Sequence, residues 1–132
     1  YLDQNYGAAW LSDARIASLV QNSLLEFDGK RYRLIAWVIM PNHVHILIQN
    51  VPGHSIAQIM HSIKSFTAHE ANKILGRKGR FWFKEYFDRY IRSGRHFQAT
   101  LRYIEENPVK ARLCAKSEDW KFGSAYSRKR FS

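Results

Sequence analysis

The chain has 132 residues, with 21 Lys+Arg against 11 Asp+Glu and a net charge of +10; the length predicts one domain over residues 1–132 and excludes a multidomain enzyme. Hydrophobic residues at 45% and aromatics at 14% supply a core and exclude intrinsic disorder, while no apolar run reaches the roughly 18 residues of a membrane helix. The single cysteine, Cys114, excludes a disulfide framework or a Cys-rich zinc module and fits a reducing, cytoplasmic compartment, with a small packing residue as its simplest role.

The chain opens on Tyr1 rather than Met and without the character of a signal peptide, which predicts a piece of a longer product. Ser12-Asp13 caps a helix running to about Phe27, with Ile16, Leu19, Val20 and Leu24 as its apolar stripe. Asp28-Gly29 breaks it. Tyr32 to Met40 is β-branched, aromatic and apolar on both alternating faces, so it reads as a central strand. Pro41-Asn42 turns the chain, and His43 to Gln49 resumes strand character, predicting a hairpin. After Pro52-Gly53, a helix spans about Ser55 to Leu75, with Ile56, Ile59, Met60, Ile63 and Phe66 at helical spacing. Phe81 to Ile91 reads as an extended segment, although its many aromatics also fit a helix. Ser93 to Glu106 reads as a last helix, ended at Asn107-Pro108 because proline disfavours helix at the residue before it. The basic, aromatic tail from Trp120 carries no strong structural signal. The order predicts an α+β fold with helices on an antiparallel sheet. A ferredoxin-like arrangement needs a further strand before the first helix, which Tyr1 to Trp10 does not supply.

Charge is concentrated in one half. Residues 1–75 carry six basic and five acidic side chains, net +1, whereas residues 76–132 carry fifteen and six, net +9. A basic half interleaved with Phe81, Trp82, Phe83, Tyr86, Phe87 and Tyr90 suits phosphates and unstacked bases better than a lipid surface.

On a strand, His43 and His45 point to the same face while Val44 and Ile46 point to the other. Two adjacent imidazoles hold a divalent metal if a third ligand arrives from elsewhere; otherwise they are two polar side chains beside a turn. On the last helix, Phe97, Leu101 and Ile104 form a narrow apolar stripe, and Tyr103 and Asn107, at i and i+4, share a neighbouring face. A tyrosine there is either an amphipathic side chain on a partly buried helix or a phenolate nucleophile. The second role needs a nearby cation, metal or base, because a free phenol has a pKa of about 10.

The string MPNHVHILI followed by YIEENPVKARL resembles the single-tyrosine HUH transposases, most closely the bacterial REP-associated tyrosine transposases. IMHSIKSFTAHEANK, FWFKEYFDRYIR and DWKFGSAYS are similar to the same family, so the resemblance runs from about Tyr32 to Tyr126. HxH alone is unspecific, but its ordered combination with YIxxNPVKA is highly specific. The resemblance implies an HUH endonuclease fold: a ferredoxin-like antiparallel sheet with helices on its faces, whose first strand, VTFR-like in the family, is missing here. It implies nicking and strand transfer on single-stranded DNA with imperfect, REP-like hairpins, through a 5′-phosphotyrosine intermediate and a free 3′-hydroxyl.

By that resemblance Tyr103 is the nucleophile, His43 and His45 are metal ligands, and Asn107 is the third ligand, a neutral and weaker donor than a carboxylate. Mg²⁺ or Mn²⁺ is the implied ion. Some relatives place the tyrosine helix in a partner's active site while REP-associated members are associated with single-subunit action, so a monomer and a homodimer both stand. Lys64, Arg89, Arg92, Arg102 and Lys110 are phosphate-contact candidates by type and location, and Trp82 is a base-stacking candidate. His54, His61, His69 and His96 read as surface or helix-face polar residues. Two rivals stand beside the transposase reading: a domesticated or truncated hairpin-DNA-binding protein without cleavage, and a metal-dependent hydrolase of small molecules.

Overall fold

The computed structural model describes residues 10–83, 86–91 and 94–131. Helix α1 (Ala14–Glu26) starts at Asp13, whose side chain accepts from the Arg15 backbone N–H, and it buries Ile16, Ala17, Val20 and Leu24 on one face. The Tyr32 hydroxyl donates to the Leu24 carbonyl at 2.6 Å, fastening the end of α1 to the start of strand β1 (Tyr32–Ile39). Strand β2 (Val44–Asn50) returns antiparallel to β1, with Ile39 opposite Val44 and the turn closed by the Met40 N–H on the His43 carbonyl at 2.8 Å. Helix α2 (Ile56–Leu75) is capped by Ser55 and stopped by Gly76, whose φ of 65° is left-handed backbone that glycine adopts without a Cβ penalty. Strand β3 (Phe87–Ile91), helix α3 (Phe97–Lys110) and helix α4 (Ser124–Phe131) complete the chain.

The class is α+β, with one three-stranded sheet in the order β1-β2-β3. The sheet is mixed rather than wholly antiparallel, because β3 runs parallel to β2. The reason lies in the connection: α2 carries the chain back to the end of the sheet at which β2 began, and a strand entered from that end runs parallel to it. A strand within Tyr1 to Trp10 is a question that falls almost wholly outside the described residues.

Period-two alternation divides the sheet between two cores. Val44, Ile46, Ile48 and Phe87 pack with Ile16, Val20, Ile59 and Ile63 on the α1/α2 face, whereas Val38, Leu47 and Ile104 pack on the α3 face. An irregularity in β1 between Leu34 and Ala36 shifts its alternation, so that Leu34 and Trp37 both serve the α1/α2 core. Trp82 is in that core as well. It is 8% exposed, and its indole N–H donates to Thr67 Oγ1 at 2.8 Å.

Two expectations change at the C-terminal end. Helix α3 does not stop before Pro108 but continues to Lys110; Pro108 is buried with Ile104, and that packing outweighs the loss of one backbone donor in the last turn. The tail after Trp120 is ordered, not featureless. Its Phe122 carbonyl accepts from Ile39 N–H at 2.9 Å and the Trp120 indole donates to the Ile39 carbonyl at 3.0 Å, covering the outer edge of β1. Glu105 anchors that tail. Its carboxylate accepts from both Arg128 guanidinium nitrogens, at 2.9 and 2.7 Å, and from Ser124 Oγ at 2.6 Å.

Candidate active site

Four of the residues singled out by sequence come together on the α3 face of the sheet. The hairpin turn delivers His43 immediately before β2, and His45 follows as the second residue of that strand. Their rings sit edge to face with centroids 4.6 Å apart. From α3, Tyr103 stands edge-on to His45 at 5.9 Å. Asn107, one turn further along α3, donates from Nδ2 to the Tyr103 carbonyl at 3.2 Å, and its side chain lies near enough to His43 to act on that imidazole.

Position in the fold follows from one neighbour. Ile104, adjacent to Tyr103, is fully buried against Val38, Met40 and Leu47. Leu47 lies two residues beyond His45 on the same face of β2, so the contact that seats α3 also sets Tyr103 over the histidines. Tyr103 itself stays 44% exposed, and the Lys110 ammonium lies 5.7 Å from its ring centroid. That lysine puts a cation beside the phenol.

The local electrostatics favour neutral imidazoles. Burial pushes His45 down to about 4, the charge of His43 acts in the same direction, and the Asp88 carboxylate opposes them. His43 is also lowered by burial, against the opposing pull of Asp88 and of the Asn107 side chain. Its Nδ1 is hydrogen-bonded to the neighbouring Asn42 Oδ1. A neutral imidazole is the form that offers a lone pair to a metal. His45 Nδ1 is buried and, among the described residues, without a hydrogen-bond partner. Among the described residues no three His, Cys, Asp or Glu side chains converge on one point. Two neutral imidazoles with an amide oxygen from Asn107 are nevertheless a nitrogen-and-oxygen donor set that suits a divalent ion.

Two residues here were not anticipated from sequence. Asp88 faces His45 from β3, and Tyr90, two residues further on, brings its ring to 6.0 Å from His45 and 6.2 Å from Tyr103. Burial raises the Tyr90 phenol, with Tyr103 and Asp88 adding to the effect. Both lie in the FDRYI stretch noted for its aromatics, but only the β2–β3 register shows which of them reach the site.

The basic candidates divide. Arg89 alternates to the α2 side of β3 with Phe87, where the Lys64 ammonium lies 5.7 Å from the Phe87 ring. Burial lowers Lys64, and Arg89 and Arg80 lower it further, so three cations share this surface; Arg80 was not among the candidates. Arg102 faces instead a groove with Gln98, Glu106 and Ser117. Arg92 lies outside the described residues. Trp82 does not meet its stacking expectation, because its indole is enclosed between Thr67, Phe81 and Phe87. Of the remaining histidines, His54 and His61 line an open groove with Arg31, His69 is beside Glu70, and His96 starts α3. Cys114 is only partly buried and donates to the Lys116 carbonyl.

No helix among the described residues is long and apolar enough to cross a membrane. A family model described as "Transposase IS200 like" matches residues 9–107, a stretch that contains His43, His45, Tyr103 and Asn107. No curated protein and no solved structure matches the chain.

Proposed function

The chain belongs to the IS200-like transposase family, and on that premise we propose that it nicks and transfers single-stranded DNA beside imperfect hairpins, with Tyr103 as nucleophile. One observation carries the reading: an exposed tyrosine on α3 stands 5.9 Å, ring to ring, from the buried His45 on β2, whose ring in turn lies 4.6 Å from that of His43 in the turn before the strand. Transposition requires DNA as partner. The basic surface of Lys64, Arg80 and Arg89, together with Lys110, supports a single strand reaching the site along β3.

The chemistry follows from the groups present. The Tyr103 hydroxyl gives its proton to water and its oxygen attacks a backbone phosphorus; one P–O bond forms to tyrosine and another breaks to the 3′-oxygen, which leaves and takes a proton back from water. Helix α3, held by Ile104, fixes the phenol so that little freedom is lost on reaching the attack geometry. Lys110, whose ammonium lies 5.7 Å from the Tyr103 ring, is placed to offset the negative charge of the attacked phosphate. His43, His45 and Asn107 would hold Mg²⁺ or Mn²⁺, and burial keeps the two imidazoles unprotonated for that purpose. When bound, the ion would polarise the scissile phosphate and ease departure of the 3′-oxygen. Tyr103 faces histidines of its own chain, which supports action by a single subunit.

The test is direct. End-labelled hairpin-bearing single strands, incubated with the protein and Mg²⁺ or Mn²⁺, are run on a denaturing gel. A label that migrates with the protein is expected. No adduct with either ion, across hairpins bearing different flanks, would overturn the cleavage assignment.

A further inference from the structure

Asp88 stands across from His45 in the parallel register of β2 and β3. Alternation along the two strands brings both side chains to the α3 face, with Tyr90 beyond them. The His45 side chain is 5% exposed, and its Nδ1 is the buried side-chain atom left without a hydrogen-bond partner among the described residues. A buried polar atom in that condition costs free energy comparable to a lost hydrogen bond, so an acceptor close to it matters. Asp88 Oδ2 is an acceptor 3.6 Å away, just outside hydrogen-bonding range. A small rotation of the Asp88 side chain, which is 52% exposed and free to adjust, closes the gap. Among the described residues, Asp88 forms no other ion pair.

We propose that Asp88 is the positioning residue of His45: its carboxylate accepts the Nδ1–H, fixing the ring and the tautomer in which Nε2 keeps the lone pair. The inference rests on the reading of the histidine pair as metal ligands. A ligating histidine whose other ring nitrogen donates to a carboxylate is held in orientation and made more basic, and loss of such a partner typically weakens metal binding by about 10–100-fold. His43 has its own such partner in Asn42 Oδ1. Asp88 gives His45 the equivalent. The two histidines would then be fixed from different elements, one by its own turn and one by the neighbouring strand.

The experiment uses the whole chain, ¹⁵N-labelled at histidine and stripped of metal. Long-range ¹H–¹⁵N spectra at neutral pH report which nitrogen of His45 carries the proton, and Mn²⁺ titration calorimetry follows on the same samples. Wild type is expected to show the Nδ1–H tautomer and to bind Mn²⁺. Asp88→Ala should lose the tautomer preference and bind Mn²⁺ at least tenfold more weakly. Asp88→Asn keeps an oxygen acceptor, so it should retain the tautomer and recover most of the affinity; the tautomer, which a merely structural role for the carboxylate does not set, is the discriminating readout. Thermal melts of both variants establish that they are folded. An unchanged His45 tautomer in Asp88→Ala, with Mn²⁺ bound as tightly as by wild type, overturns the assignment of Asp88 and leaves the metal site standing. A wild type that fails to bind Mn²⁺ overturns the metal reading itself, and the role of Asp88 with it.

Discussion

Tyr103 and His45 meet with ring planes at 71° and centroids 5.9 Å apart, although one lies on a helix and the other on a strand of the opposing layer. The residue next to the tyrosine, Ile104, is the apolar anchor of that helix against Val38 and Leu47. The proposed nucleophile therefore borrows its position from the core while its side chain stays 44% exposed. Truncating Ile104 would disturb the site and the fold together; changing the hydroxyl of Tyr103 disturbs the site alone.

That separation makes a mixing experiment decisive about subunit use. Tyr103→Phe should fold and bind hairpin DNA like wild type, with stability within about 0.5 kcal/mol, and form no covalent adduct. His45→Ala should form none either. With Tyr103 facing histidines of its own chain, an equimolar mixture of the two variants is expected to stay inactive. Recovery of adduct in the mixture, toward a quarter or more of the wild-type yield, would mean that the tyrosine works in a partner's site.

The histidine pair also predicts how stability depends on pH. His45 falls from an unfolded value of 6.5 to about 4 in the folded chain, and His43 is lowered as well, burial being the main cause for both. Between those values the unfolded chain binds more protons than the folded one, so stability rises with pH across this window and is lost on acidification from about 6.5 toward 4. For His45 the loss is on the order of 2–3 kcal/mol. Metal-free melts from pH 7 to pH 4 measure it. His45→Gln should flatten the dependence, whatever it does to stability at pH 7; an equal slope in the variant would count against a neutral buried His45.

Each half of the candidate site was legible from sequence because it is local and its periodicity is simple, whereas the joining of the two halves was expected only from the family resemblance. Two histidines one residue apart on a strand must share a face, and Tyr103 and Asn107 must lie one helical turn apart. Asp88 and Tyr90 were not legible. Their place beside His45 depends on β3 pairing parallel to β2, which the long α2 crossover dictates and no local pattern announces. Trp82 misled for the opposite reason. Flanking cations and aromatics suggest a nucleic-acid platform, but a hydrogen bond to Thr67, fifteen residues away on α2, keeps the indole inside. Local propensity also failed at Pro108 and in the tail, where tertiary packing and the Glu105 network decide the structure.

Glu105 is consequently a stability residue rather than a site residue. Its side chain is 7% exposed and joins Arg128 and Ser124, tying α4 to α3. Glu105→Ala removes both acceptor oxygens and should cost about 2 kcal/mol, lowering the melting temperature by on the order of 10 °C. Glu105→Gln, which keeps one acceptor, should lose roughly half as much. A melt unchanged by Glu105→Ala would show that the tail is not held through this carboxylate.

How the DNA lies on the protein is open to a salt titration. The excess charge sits in residues 76–132, and the structure adds Lys64 to that surface through its proximity to Arg80 and Arg89. For a single strand, log affinity falls against log salt with a slope of about −0.7 per phosphate neutralised. Lys64→Ala, Arg89→Ala and Lys110→Ala should each flatten the slope by about 0.7 where the residue touches a phosphate. Arg15→Ala should leave it unchanged, since that guanidinium is paired with Asp13 at 2.7 Å on α1 in the near-neutral half. Arg102→Ala should have little effect, because Arg102 faces the groove with Glu106 and Ser117. Trp82→Ala separates the two accounts of that residue. A buried indole predicts a fall in stability of about 3–5 kcal/mol, with any loss of affinity tracking the unfolded fraction; a stacking platform predicts weaker binding at every salt concentration by a protein that still melts like wild type. A slope that responds to Arg15 but to none of Lys64, Arg89 and Lys110 would place the strand on the α1 side of the molecule.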